Sequence, residues 1–368
     1  MKLLSTSRCA ERKHKTCPMA AIPETIDPSR LADNVLEYLS EHIETHYRIA
    51  VLIVGPPGSG KSTVSAQLCN ELNARYQEYF GSKNTRKAQL LQTFDATSQR
   101  DFLCRNIPVF SAEDTQKAIG PSFDHIEDLK FKPHRFQNIA NDSEIIVSRG
   151  GLSNSIRIAA SGPRSMAEGG QLAQIVPMDG FHLSREHLDH FSNPQEAHNR
   201  RGSPETFDSN NCLQLCRILA ESCQITPPVQ AKWEGELFDK INSSFSDTVP
   251  SIYIPGFDHA LKDPTMDEHC VDASTRIIVI EGLYLLLNEE NWKDIYPAFK
   301  KTNAVLVWKL DLPVDELERR VAKRHVESGL APTLESGINR FRENDFMNAI
   351  KIREQSIEAD DILTLSNI

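Results

Sequence analysis

The run Val51-Leu52-Ile53-Val54-Gly55-Pro56-Pro57-Gly58-Ser59-Gly60-Lys61-Ser62-Thr63 constrains this chain more than any other stretch. Four aliphatic residues predict a buried parallel strand. A G-x-x-x-x-G-K-S loop follows, and Val64 to Leu72 then repeats its apolar residues at helical spacing. Strand, glycine-rich loop and helix, in that order, predict a nucleotide site. Glycines without a Cβ let the backbone wrap an anion and turn its N–H groups inward. The anion then lies at a helix N-terminus, where unsatisfied amides and the helix dipole favour negative charge. In such a loop Lys61 sets a point charge on the β- and γ-phosphates, and Ser62 offers its hydroxyl to Mg²⁺. Residues 55–63 are therefore expected to hold a nucleoside triphosphate.

Composition narrows the class. The 368 residues suffice for one large α/β domain with insertions or for two domains, and a formal net charge of −10 argues against sequence-independent nucleic-acid binding. No apolar run reaches the length of a membrane span. The eight cysteines are scattered without CxxC pairs, which predicts buried thiols in a reducing, cytoplasmic setting. Residues 1–23 read as a basic, disordered tail with no secretory apolar region, and a mitochondrial presequence is the alternative.

Along the chain, Pro28 to Tyr47 predicts a helix with Leu31, Val35, Leu36, Leu39 and Ile43 on one face. Strand patterns return at 172–178, 276–280 and 304–310, separated by helical patterns. This order predicts an α/β fold with a mostly parallel sheet and helices on both faces. Residues 80–170 are polar and punctuated by Pro and Gly, too long for a structureless loop. They are expected as an inserted subdomain with a strand at Ile145–Val147 and mobile edges over 153–170. The core is then discontinuous, 24–79 and 171–368.

Ligands of such sheets gather at the carboxyl ends of the strands, where the loop, Asp179 and Glu281 all fall. Asp179 precedes Gly180 and can accept the proton of an acceptor hydroxyl, hold Mg²⁺ through water, or simply cap its turn. Glu281 follows four aliphatic residues, as a second metal-side carboxylate would; the alternative is a buried acid paired with Lys or Arg. Arg319, Arg320, Lys323 and Arg324 make a basic helix, either a solvated face or a source of cations for a γ-phosphate. Phe181, His182, Phe207, Phe257 and Tyr284 can line an acceptor pocket or pack in the core.

At these residues the chain resembles the P-loop kinases grouped with phosphoribulokinase, uridine kinase and bacterial-type pantothenate kinase. Among them it is most similar to the fungal ATP-dependent kinases of unassigned substrate. The likeness rests on Gly55–Thr63, Met178–His182, Arg201–Asp208 with Pro255–Pro264, Ile280–Tyr284, and the Arg340–Ala349 run containing Asn344-Asp345. It implies a P-loop NTPase fold and transfer of phosphate from MgATP to a hydroxyl of a small molecule, nucleoside, pantothenate-like or sugar-like. Asp179 would be the base and Lys61, Arg320 and Arg324 the catalytic cations. Ser62, Glu281 and Asp179 would be the metal side. The acceptor would meet Phe181, His182, Arg201, Phe257, Asp258 and Tyr284, under a lid spanning about 313–350. Two features depart from the group: His259 stands where several relatives carry Arg, and most relatives lack the 80–170 insertion. That insertion is expected to cover the acceptor site or bind a protein partner. The rival reading is an ATP-driven switch or assembly factor acting through it, although the guanine-reading N-K-x-D motif is absent.

Overall fold

The computed structural model describes residues 26–83, 96–111, 113–115, 123–160 and 171–366. The expected tail and residues 161–170 lie outside them. Ten strands are described: β1 (Ile49–Val54), β2 (His134–Asn138), β3 (Ser143–Val147), β4 (Ile156–Ala159), β5 (Ala173–Pro177), β6 (Ser251–Asp258), β7 (Asp263–Val271), β8 (Ile277–Gly282), β9 (Val305–Asp311) and β10 (Ile362–Ser366). They form two five-stranded sheets, ordered β10-β9-β1-β8-β5 and β2-β3-β4-β6-β7.

The first sheet is wholly parallel. Its central strand, Ile-Ala-Val-Leu-Ile-Val, is buried along its whole length, as a parallel strand covered on both faces must be. Helices Pro28–His42 and Lys61–Lys83 pack together on the sheet, and helices Ser209–Cys223 and Ile295–Lys300 form a second pair. Helix Pro28–His42 starts where the Asp27 carboxylate accepts from the Ser29 amide at 3.0 Å, with Pro28 in its first turn. It buries Leu31, Ala32, Val35 and Leu39 and stops short of the expected end at Tyr47. Tyr47 is pulled away instead: its amide donates to the Ile225 carbonyl at 2.9 Å and its hydroxyl to the Ala273 carbonyl at 2.6 Å.

Register places the site. Glu281 lies opposite Ile53 of β1 on one side and opposite Pro177 of β5 on the other. The glycine loop leaves β1 directly after Val54 and Asp179 follows β5, so Glu281 stands between them.

The second sheet is antiparallel and was not anticipated. Strands β2, β3 and β4 come from the 80–170 segment; Ile145–Val147 lies in β3 as expected. These strands do not close into a unit of their own. Strand β4 pairs with β6, Arg157 opposite Tyr253 and Ala159 opposite Ser251, so residues 251–271 complete the sheet that the insertion begins. Residues 156–159, expected as a mobile edge, are thereby fixed. The pattern hid this because β2 reads His-Arg-Phe-Gln-Asn and β7 reads Asp-Pro-Thr-Met-Asp-Glu-His-Cys-Val, with little apolar alternation to betray a strand.

The two sheets meet at Gly180. A Cβ there would lie 1.9 Å from the Pro255 carbonyl oxygen of β6, so any side chain forces the Asp179 turn off the second sheet. Gly180→Ala is expected to lower stability by about 1–3 kcal/mol through overpacking. The check is the midpoint of urea unfolding at unchanged slope.

Candidate active site

The phosphate loop begins with buried Gly55, Pro56 and Pro57 and ends in helix Lys61–Lys83, with Ser62 and Thr63 exposed at its start. Gly58 has φ of +81°, and a Cβ on it would lie 2.7 Å from a Val321 methyl and 3.2 Å from the Leu317 carbonyl oxygen. The helix Val314–Glu327 thus rests directly on the loop, which no side chain at position 58 would allow. Gly60 also has positive φ, +89°, and the Ser59 amide donates to the Pro56 carbonyl at 3.2 Å.

Lys61 is buried, its ammonium donating to the Pro56 carbonyl at 3.0 Å. Burial lowers its pKa to about 8; Glu281 and Asp179 oppose that shift and Arg324 adds to it. Ser62 Oγ lies 2.9 Å from both carboxylate oxygens of Glu281. Burial pushes the Glu281 carboxyl above its usual range, while Lys61 pulls it down and Asp179 adds to the rise. The structural alternative for Glu281, a buried acid beside Lys, and the metal-side one therefore describe the same geometry.

Asp179 sits in the single turn Met178–Phe181 after β5, with its side chain 47% exposed. The Asp179 backbone carbonyl is 2.9 Å from His182 Nδ1. A carbonyl only accepts, so Nδ1 carries the proton and Nε2 keeps its lone pair. Burial lowers the His182 pKa, with Asp179 opposing; the ring lies 4.0 Å from Phe207 and 4.9 Å from Phe257, centre to centre.

The other expected acceptor residues are buried or bonded within the protein. Phe181 is completely buried in the main core. Tyr284 is equally buried, and its hydroxyl donates to the Gly202 carbonyl at 2.6 Å. Asp258 accepts from its own turn, the amides of Ala260 at 2.7 Å and Leu261 at 3.0 Å. Arg201 is bound to Asp263 at 2.8 Å and to the carbonyls of Leu183 and Lys262. These four hold the scaffold, because each has its polar partners within the protein or no polar group to offer. Asp179, His182 and Phe257 remain together on the acceptor side.

On helix Val314–Glu327, Leu317 and Val321 face inward as expected. Arg320 is engaged rather than open: Glu316 holds Arg320 at 2.5 Å and Arg319 at 2.7 Å. Arg324 is exposed and, among the described residues, its side chain has no hydrogen bond or ion pair; its charge reaches Lys61 and Asp345. Helix Leu334–Arg340 continues through a π-helical turn, Phe341–Asp345, into helix Phe346–Gln355. Asp345, 15% exposed, lies 3.3 Å from His325 Nε2. Burial raises the Asp345 carboxyl while Arg324, Arg340 and Arg200 pull it down; burial lowers His325 to about 4, so the imidazole is neutral.

A relative from Lachancea thermotolerans, the ATP-dependent kinase YFH7, is 56% identical over 342 residues, covering 92% of this chain and 97% of its own. The chain belongs to the YFH7 family of ATP-dependent kinases. The protein of that name from Saccharomyces cerevisiae S288c is 42% identical over 355 residues, 93% of this chain and 99% of its own. A crystal structure of the Saccharomyces cerevisiae protein, described as a candidate P-loop containing kinase with a circular permutation, superposes with a TM-score of 0.83. It covers 93% of this chain and 100% of that one at 42% identity. A candidate fructose transport system kinase from Silicibacter sp. TM1040 shares the fold alone, at TM-score 0.50 and 21% identity over 92% of this chain and 98% of its own. The AAA domain (dynein-related subfamily) matches residues 50–117, which include β1, the glycine loop and the helix after it.

Sequence reasoning missed the residues that dock the kinase's 314–355 segment onto the Arg200–Gly202 turn. Arg200 donates to Asn344 Oδ1 at 2.6 Å and to Asn348 Oδ1 at 3.1 Å. In return Asn344 Nδ2 donates to the Arg201 carbonyl at 3.2 Å, and Asn348 Nδ2 to the Gly202 carbonyl at 3.3 Å. Two amides four residues apart on a helical pattern were the available signal.

Lys61 yields a pH prediction. Only the charged amine attracts phosphate, and the ligand-free group titrates at about 8. MgADP affinity is therefore expected to hold below that pH and to weaken by up to roughly tenfold per pH unit above it. Calorimetric titration across this range checks it, and Lys61→Met should bind weakly with little pH dependence.

Proposed function

We propose that this ATP-dependent kinase transfers the γ-phosphate of MgATP to a hydroxyl group of a small-molecule acceptor, with Asp179 as the base. The observation that carries the reading is the contrast between two carboxylates on one sheet edge. Glu281 is turned onto Ser62 beside Lys61, whereas Asp179 is half-exposed on the acceptor side. One environment suits the phosphate and metal side, the other a proton acceptor.

The donor set fits magnesium. Among the described residues no three His, Cys, Asp or Glu side chains group into a metal site. Ser62 and Glu281 offer hard oxygens next to the phosphate loop, and a magnesium ion takes one or two protein oxygens and fills the rest with phosphates and water. Bound there with ATP, it would neutralise the phosphate oxygens; Asp179 is the other acid at this edge, and its charge acts on both Lys61 and Glu281.

In the proposed reaction the loop amides and Lys61 hold the phosphates while the acceptor hydroxyl faces Asp179. The carboxylate takes the hydroxyl proton as the oxygen bonds to the γ-phosphorus and the bond to the β-phosphate oxygen breaks, leaving ADP. Helix Val314–Glu327 and its neighbours act as the lid, with Arg324 as the cation open to the γ-phosphate. The aromatic pair His182 and Phe257 beside Asp179 supports a ring-bearing acceptor such as a nucleoside, or a pantothenate-like or sugar-like alcohol.

ADP release measured with MgATP and a panel of nucleosides, pantothenate-like compounds and sugars tests the reading. One acceptor should stimulate turnover, and Asp179→Asn should lower it by about 10²-fold or more while leaving MgATP affinity within about twofold. Asp179→Asn at full stimulated rate would sink the base assignment. Release that no compound stimulates would favour the switch reading.

The lid assignment carries its own prediction. Arg324→Ala should cost roughly 10-fold or more in kcat, whereas Arg320→Ala, which loses an intrahelical pair with Glu316, should stay within about threefold. Steady-state kinetics of the two variants side by side decides it.

A further inference from the structure

The segment 80–170 reaches the catalytic turn through one buried amide. Asn154 lies in a short 3₁₀ turn, Leu152–Asn154, between β3 and β4 and is wholly buried. Its Nδ2 donates to the Gly180 carbonyl at 2.6 Å and to the His182 carbonyl at 2.9 Å. These two carbonyls belong to the turn that carries Asp179. The Asn154 backbone is itself held, its carbonyl accepting from Asn211 Nδ2 at 2.7 Å.

The anchorage continues on either side. Asp208, the last residue of the Arg201–Asp208 stretch, is buried and caps helix Ser209–Cys223 through the Asn211 amide at 3.0 Å. Its other oxygen accepts from the Gly150 amide at 2.8 Å. Arg149, also buried, donates to the carbonyls of Glu205 and Phe207. Residues 149–154 are thus locked to the helix cap on one side and to the Asp179 turn on the other. Other contacts reach the same turn: Phe181 is buried in the core, its carbonyl accepts from the Asp208 amide at 2.7 Å, and the His182 amide donates to the Asp179 carbonyl at 3.1 Å. Asn154 differs from these in holding two of the turn's carbonyls with one side chain.

We propose that Asn154, supplied by the inserted segment, is a positioning residue for phosphoryl transfer: its amide clamps the Gly180 and His182 carbonyls and so fixes the Asp179 turn. The insertion is then part of the catalytic architecture rather than an appended module. The catalytic part of this proposal rests on Asp179 as the base; the clamp itself does not.

The test compares Asn154→Ala, Asn154→Asp, Asp179→Asn and Arg157→Ala in the full chain. Asn154→Asp keeps the shape but puts an oxygen where the donor was, which separates lost hydrogen bonds from lost volume. Arg157→Ala removes a sheet-surface ion pair with Asp267 and controls for general weakening of the second sheet. Both Asn154 variants should speed amide hydrogen exchange over 178–184 by roughly tenfold or more, with exchange over 55–63 and MgADP affinity unchanged. The kcat of basal MgATP hydrolysis should fall about tenfold while KM for MgATP stays within about twofold. Arg157→Ala should do neither. Wild-type exchange over 178–184 in Asn154→Ala, or an Asn154→Asp protein that behaves as wild type, overturns the proposal. Full basal hydrolysis by Asp179→Asn would remove the base reading and the catalytic half with it, while exchange still decides the clamp.

Discussion

Burial of charge at the carboxyl edge of the parallel sheet governs this kinase. Lys61 is removed from water, and burial lowers its pKa to about 8. The cost is contained by two carboxylates and the Pro56 carbonyl, which is how a protein retains an ammonium in a low-dielectric site. Glu281 is the counterpart, an acid raised by burial and lowered by the same lysine. A nucleotide's phosphates are the anions that favour the charged form of this lysine. The strand register that sets Glu281 between β1 and β5 is what brings these groups within reach of one another.

Around that edge the acceptor side is assembled from segments far apart in the chain. The Asp179 turn leans on β6 at Pro255, is tied to Asn154 of the insertion, and abuts Phe207 through His182. Each contact comes from a different element, and all three converge on the five residues Met178–His182. A strand-end turn with a small residue at its centre is the sort of backbone that needs such external support, since it lacks regular hydrogen bonds of its own.

The parts legible in the sequence were those that a short local pattern dictates. The aliphatic runs at β1, β8 and β9 specify buried parallel strands, the G-x-x-x-x-G-K-S loop specifies an anion cradle, and Asp208 specifies a helix cap. The illegible parts are long-range. Phe181 and Tyr284 are the same residue types whether they line a pocket or fill a core, and only packing puts both at zero exposure. Arg320 and Arg324 differ by one helical turn, yet Glu316 reaches only the first. The pairing of β4 with β6 joins residues roughly 90 positions apart, with no turn or period to announce it.

The contacts that dock the lid segment differ in kind from those that hold the core. Arg200, Asn344 and Asn348 meet the Arg200–Gly202 turn through guanidinium, amide and carbonyl groups, partly exposed, with no ion pair among them. Two of these bonds come from a charged guanidinium, worth about 1.5–3 kcal/mol each, and two are neutral, worth about 0.5–1.5 kcal/mol each. These bonds latch the 314–355 segment to the turn, while Leu317 and Val321 hold its first helix against the phosphate loop. Because Tyr284 binds the Gly202 carbonyl from below, the latch also abuts the strand that carries Glu281. The Arg200–Gly202 turn is thus shared between the 314–355 segment and the residues that follow the Glu281 strand.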